Sequence, residues 1–303
     1  MPLHQGLITR APISDPRHQP GVGYARSLKC LTVLLLLVAL VLTPGCLGKN
    51  SSGPAQTRES ATGGDQTQRR SEPHFRFIVC GDPQNDYQVF DRILEAAKSV
   101  DFLVIAGDLT GSGTPTEFQN FLLKMKESGV RYYCVPGNHD VVSGPVDKVY
   151  ESYIGPPHQA FDYLNCHFVL IDNSTPSLGF YPEEQQWVKD DLEAAKAKGF
   201  EHIFAVCHTP PGIPYSSDYD PEARIGMDAN ESLVPILSTG KVEELFSGHV
   251  HIYEQSREDG MLITITGGAG APLHLGPLSG GYYHYVLVKI DGSRRSQQVV
   301  KVQ

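Results

Sequence analysis

From Phe75 onward, short apolar runs alternate with helix-length amphipathic stretches, and this alternation confines the chain to an α/β fold. The run Phe75–Cys80 leads into Tyr87–Ser99, where Phe90, Ile93, Leu94 and Ala97 fall at i, i+3, i+4 and i+7 on one helical face. Phe102–Ala106 leads to a second helix. Thr114 and Glu117 are spaced as a capping box at its start, and Phe118, Phe121, Leu122 and Met125 form its apolar stripe. Arg131–Val135 reads as a third strand. Pro182–Lys198 reads as a helix with Val188, Leu192 and Ala195 inward, followed by the strand Ile203–Cys207. Leu262–Thr266 and Tyr283–Ile290 are strands without an intervening helix. Neither an internal repeat nor a second linker divides residues 75–303.

The strand ends carry the informative residues. They read Gly81-Asp82-Pro83-Gln84, Gly107-Asp108-Leu109, Gly137-Asn138-His139-Asp140, Cys207-His208-Thr209 and Gly248-His249-Val250-His251. In open α/β sheets ligands bind outside the carboxyl ends of the strands, so these clusters are expected on one edge. Oxygen donors mixed with imidazoles suit Zn, Mn or Fe rather than a thiolate-seeking ion. Cys80, Cys134, Cys166 and Cys207 lie in or beside apolar runs and read as small buried hydrophobes. Gly267-Gly268-Ala269-Gly270 opens no helix, so it is no dinucleotide fingerprint but a candidate backbone wall. Ser238-Thr239-Gly240-Lys241 lacks the P-loop spacing and reads as a turn, while Tyr215 and Tyr219 read as packing residues.

Taken in order, Asp, Gly-Asp, Gly-Asn-His-Asp, His and Gly-His-x-His, the motifs resemble those of the calcineurin-like metallophosphoesterase family over residues 75–275. The resemblance implies a two-sheet αββα sandwich. It also implies a dinuclear centre of two divalent ions (Mn, Zn, Fe or Mg) that hydrolyses phosphate mono- or diesters with a metal-activated water. By the same resemblance, Asp108 bridges the ions, Asp82 and His251 belong to the first, and Asn138, His208 and His249 belong to the second. His249 and His251 at i and i+2 would project to one side of an extended backbone, letting one segment serve both ions. His139 is not expected to be a ligand; it would meet the phosphoryl oxygens or protonate the leaving oxygen. Asp140 is expected to assist catalysis by orienting His139 or a neighbouring ligand, although a turn-capping Asp has the same signature. Gln84 departs from the family's usual His. A branch carrying Gly-Asp-Pro-Gln is similar, so Gln84 reads as a weak ligand to the first ion or a residue lining the site.

The first 74 residues are read apart from the domain. Leu31–Leu42 is apolar except for Thr32, shorter than the roughly 20 residues of a membrane span. With Arg10, Arg17, Arg26 and Lys29 before it, this run matches the h-region of a signal peptide over residues 1–45. Thr43-Pro44-Gly45-Cys46 resembles the lipobox of bacterial lipoproteins, which implies a lipid on Cys46, membrane attachment and export to the cell envelope. An ordinary secretion signal and an uncleaved anchor are the alternatives. Residues 46–74 read as a flexible tether, because Gly48 to His74 contains no Val, Ile, Leu, Met or aromatic carbocycle. Random-coil statistics give it a reach of about 30 Å.

The remainder, residues 75–303, is the catalytic domain on this reading. The chain carries a net charge of −9; removing residues 1–45 leaves 21 cations against 33 anions, or −12. So acidic a protein is not expected to coat nucleic acid. A phosphate-ester substrate is the expected partner, with its identity set by loops 210–232 and 267–280 rather than by the fold. The rival is a non-catalytic metal- or ligand-binding envelope lipoprotein on the same scaffold, favoured by Gln84 and opposed by the intact ligand positions.

Overall fold

The expected alternation produces two sheets. In this computed structural model, residues 72–141, 148–175, 179–212 and 232–303 are described. The signal peptide, Cys46, nearly all of the tether, Tyr215 and Tyr219 lie outside them. Among the described residues the strands are β1 (His74–Cys80), β2 (Phe102–Ala106), β3 (Tyr132–Val135), β4 (Gln159–Tyr163), β5 (Cys166–Leu170) and β6 (His202–Val206). They continue as β7 (Glu244–Ser247), β8 (Tyr253–Glu258), β9 (Met261–Thr266), β10 (His284–Asp291) and β11 (Arg294–Lys301). The helices are α1 (Tyr87–Ala97), α2 (Pro115–Ser128), α3 (Lys148–Tyr153), α4 (Pro182–Lys198) and α5 (Leu233–Thr239).

One sheet has the order β11-β10-β1-β2-β3 and the other β4-β5-β6-β7-β9-β8. The central strands β1, β2 and β3 are parallel, as are β5, β6, β7 and β9, while β4 and β8 run antiparallel at the edges. Central strands are buried on both faces, which is why they read as continuous apolar runs. Along β1, Phe75, Phe77 and Val79 face the layer between the sheets, where Phe77 stacks on Phe102 and meets Phe168 and Phe204 edge-on. Ile78 and Cys80 point the other way, to Phe90 and Ile93 of α1 and Phe118 and Phe121 of α2. On the second sheet, Ile203 and Leu245 face Val188 and Leu192 of α4 and Leu233 of α5. Helices therefore cover both outer faces of a two-sheet αββα sandwich.

Local chemistry fixes the element ends. Thr114 and Glu117 form the reciprocal capping box at α2, and Gly129 closes that helix in the left-handed conformation. Pro182 opens α4 and a left-handed Gly199 ends it. Ser238 and Thr239, expected in a turn, instead form the last turn of α5, which Gly240 caps. Pro235 near its start breaks the sequence signal but not the helix, since first-turn N–H groups need no intrahelical partner. The fold begins slightly before Phe75: His74 pairs with Asp291, and Pro73 O accepts from Gly292 N at 2.9 Å. Cys80, Cys134, Cys166 and Cys207 are buried free thiols. Among the described residues no helix is long and apolar enough to cross a membrane.

Candidate metal centre

Parallel strands deliver their carboxyl ends to one edge, and left-handed residues there turn side chains back over the sheets. Asp82 has φ 62°, Asp108 φ 52° and His249 φ 66°, values that Asp and His adopt more readily than most residues. The first two loops are tied by Asp82 N to Gly107 O and Gln84 N to Asp108 O, both 3.1 Å. The motif glycines permit close approach. A Cβ on Gly137 would lie 2.1 Å from Asp108 Oδ1, and one on Gly248 would lie 2.4 Å from Asp82 Oδ2. Gly267 would likewise clash with Asp82 Oδ2 at 2.8 Å, so the glycine-rich segment after β9 does form a backbone wall behind this carboxylate.

Asp82, Asp108 and His251 are buried, with one ligand atom from each lying within 4.8 Å of the others. His251 Nδ1 faces Pro272 O at 2.7 Å, which accepts its proton and leaves Nε2 as a lone pair 3.4 Å from Asp82 Oδ1. His208 repeats the device. Its Nδ1 donates to Ala106 O at 2.9 Å, and its Nε2 stands 2.9 Å from Asn138 Oδ1 and 3.3 Å from Asp108 Oδ1. His249 Nδ1 lies 2.8 Å from the same Asn138 oxygen and 3.3 Å from His208 Nε2. With these tautomers the Nε2 lone pairs of His208 and His251 face the oxygens of Asn138, Asp108 and Asp82 across two adjoining clusters that share Asp108. A divalent cation reconciles such a donor set, so these residues fit the metal ions that the motifs imply.

Burial and the neighbouring charges shift the three rings in different directions. Burial opposes protonation of His208, but Asp108 and Asp82 outweigh it and raise its pKa. His251 is raised in the same way, against burial, by Asp82. Burial and then the neighbouring His208 drive His249 down to about 3.

One expectation needs correction. The backbone of His249–His251 is not extended: Val250 N reaches Gly248 O and Ile252 N reaches Val250 O, both at 2.7 Å, as consecutive tight turns. These turns, and not a strand, send His249 toward Asn138 and His251 toward Asp82. As for the roles expected of Asp140, its bonds go to the loops that carry Asp108 and Asn138 and not to the ring of His139. Its buried carboxylate accepts from Leu109 N, Thr110 N and Gly137 N at 2.9 Å and from Thr110 Oγ1 at 2.8 Å. The Asp140 N to Gly137 O turn aims it inward, so it caps and staples the loops after β2 and β3. Burial and then Asp108 push its pKa up to about 7.

The exposed His139 stands beside the clusters, with its N–H donating to Asp108 Oδ1 at 2.9 Å and its ring Nδ1 on Gly111 O at 2.8 Å. Gln84 sits inside the site, its Nε2 donating to Asp108 Oδ2 at 2.9 Å. Two contributors escaped sequence reasoning. Asn173 Oδ1 accepts from His208 N at 3.0 Å and Thr209 N at 3.1 Å, fixing the His208 loop. Its signal was present, since the apolar run ending at Ile171 also closes in polar Asp172-Asn173-Ser174. His274, in the loop after β9, accepts from His251 N at 3.3 Å and lies against its ring at 4.1 Å. Residues 213–231 of the expected substrate loop lie outside the described residues.

Comparison with known proteins places the chain among phosphoesterases. Purple acid phosphatase 21 of Arabidopsis thaliana is 26% identical over 216 residues, 63% of this chain and 48% of its own length. A probable cyclic nucleotide phosphodiesterase of Psychrobacter is 24% identical over 184 residues, 55% of this chain and 52% of its own. The chain spans about half the length or less of several curated relatives it matches. Among solved structures, a purple acid phosphatase from yellow lupin superposes with a TM-score of 0.62 at 16% identity, covering 76% of this chain and 52% of that one. A dimetal phosphatase from Danio rerio gives 0.56 at 13% identity, covering 77% of this chain and 100% of that one; these two show the shared fold. The profile of the calcineurin-like phosphoesterases matches residues 75–253, from the first strand through the final His-x-His, and the chain belongs to that family.

Proposed function

We propose that the protein is a metal-dependent phosphoric ester hydrolase with a dinuclear site acting on phosphate mono- or diesters. The observation that carries this reading is the pair of adjoining acceptor clusters sharing Asp108, one with Asp82 and His251 and the other with Asn138, His208 and His249. Relatives named as phosphatases and as cyclic nucleotide phosphodiesterases bracket the monoester and diester chemistries. Divalent ions supply Lewis-acid activation of the phosphoryl group and of water, the chemistry required for hydrolysis near neutral pH. The chain supplies the geometry. Asp140 and Asn173 hold the loops, and Ala106 O and Pro272 O set the ring tautomers of His208 and His251. His139, anchored through Nδ1 on Gly111 O, turns its other ring nitrogen to the substrate, where it stabilises charge or protonates the leaving oxygen. Gln84 spends its amide N–H on Asp108, which supports a loosely held first ion and keeps a non-catalytic binding protein as the second reading.

The test is hydrolysis of p-nitrophenyl phosphate and bis-p-nitrophenyl phosphate with added Mn, Zn or Mg. His139→Ala and Asp108→Asn are each expected to lower the rate by about 10²-fold or more. Rates equal to wild type in both variants would overturn the hydrolase reading. The reading also includes export and a lipid on Cys46, supported by the apolar run and the lipobox-like Thr43-Pro44-Gly45-Cys46. Fatty-acid label incorporated in cells should disappear in Cys46→Ser; label that persists contradicts the anchor.

A further inference from the structure

Glu117 belongs to the capping box of α2, but a capping box uses only part of what its carboxylate does. Oε2 accepts from Thr114 N at 3.0 Å and Thr114 Oγ1 at 2.7 Å, which completes the cap. Oε1 accepts from Asn85 Nδ2 at 2.8 Å, reaching across to the loop after β1. Gly111 packs against the same carboxylate, where a Cβ would lie 3.4 Å from Oε1. Burial raises the Glu117 pKa, yet the bonds from Thr114, Asn85 and Gly111 outweigh it and hold the carboxyl below its ordinary value.

Both remote partners adjoin the metal centre. Asn85 follows Gln84, and the two have φ 69° and 40°, a left-handed pair that non-glycine residues keep only when their surroundings impose it. Gln84 is the residue donating to Asp108 Oδ2. Gly111 supplies the carbonyl on which His139 Nδ1 rests at 2.8 Å. The three segments are packed so closely that a Cβ on Gly111 would lie 3.0 Å from Asn85 Nδ2 and 3.4 Å from Glu117 Oε1.

We propose that Glu117 is a positioning residue of the active site: its carboxylate locks the Gln84–Asn85 turn and the Gly111 peptide together, and so fixes the ring of His139 and the amide of Gln84. The kinetic arm of the test rests on the phosphoesterase reading; a spectroscopic arm does not. Thr114→Ala is the control, because it removes the hydroxyl contact of the capping box while leaving the bond to Asn85 and the packing of Gly111. Both Glu117→Ala and Thr114→Ala are expected to lower thermal stability. Only Glu117→Ala should lower kcat, by about tenfold with KM within twofold, and Glu117→Gln, which retains one acceptor oxygen, should recover at least half of the loss. In histidine-labelled protein, the Nδ1–H resonance of His139 should be protected from exchange in wild type and Thr114→Ala and lost in Glu117→Ala. An unchanged His139 resonance in Glu117→Ala, or a kcat falling equally in Thr114→Ala and Glu117→Ala, would overturn the proposal. If wild type hydrolyses no ester, the hydrolase reading fails while the resonance still decides the role of Glu117.

Discussion

The two sheets contribute to the metal centre in opposite ways. The first sheet, through the loops after β1, β2 and β3, delivers carboxylates and amides, and other carboxylates hold those loops: Asp140 grips Leu109, Thr110 and Gly137. The second sheet, through the loops after β6 and β7, delivers imidazoles, and neutral groups hold two of them, His208 and His251: Ala106 O, Pro272 O and the Asn173 amide. The difference follows from what each side chain needs. An anion needs backbone N–H groups kept near it, and a second buried carboxylate arranges them by accepting several at once. A histidine ligand needs one ring nitrogen occupied by a proton acceptor, and a backbone carbonyl does this without adding charge. Each half holds one strongly shifted group: Asp140, raised by burial and then by Asp108, and His249, lowered by burial and then by His208.

Removing the clamps tests this contrast. Asp140→Ala strands three buried backbone donors and is expected to cost about 3 kcal/mol, the largest effect, read as a lowered denaturant midpoint. Asn173→Ala strands only His208 N and Thr209 N and should cost about 2 kcal/mol in the same experiment. Equal costs would erase the distinction between the halves.

The smallest effect lies away from the site. Between β4 and α4, the buried His167 joins Asp162 at 2.7 Å and Asp191 at 2.8 Å, with Lys198 also on Asp162 at 3.0 Å. Burial lowers the His167 pKa, but Asp191 and Asp162 outweigh it and raise it above the ordinary 6.5. A raised folded-state pKa gives stability that is fully present below about 6.5 and lost as pH rises through the folded value. The stability gap between wild type and His167→Gln should thus narrow on going from pH 6 to pH 8. A gap that widens contradicts the pairing.

Much of this architecture was legible. Phe102–Ala106 and Pro182–Lys198 were readable to the residue because Gly107-Asp108 ends the one, and Pro182 and Gly199 bound the other. β11 was not, since Arg294–Lys301 is a polar edge strand with little apolar alternation. The candidate ligand positions were legible because each follows a strand end. Their geometry was less so: the left-handed turn at His249 leaves no periodic trace, and Asp140 as a staple looks in sequence like Asp140 as a catalytic partner. Glu117 signalled its capping box but not its reach to Asn85, which depends on the neighbouring loop.

A dinuclear centre built on Asp108 fixes the number of ions held. Equilibrium dialysis of the purified protein against Mn²⁺ should find two ions per chain, with at least one lost in Asp108→Asn, the residue common to both clusters. Two ions retained by Asp108→Asn, or fewer than one held by wild type with metal in excess, would contradict a dinuclear centre built on that carboxylate.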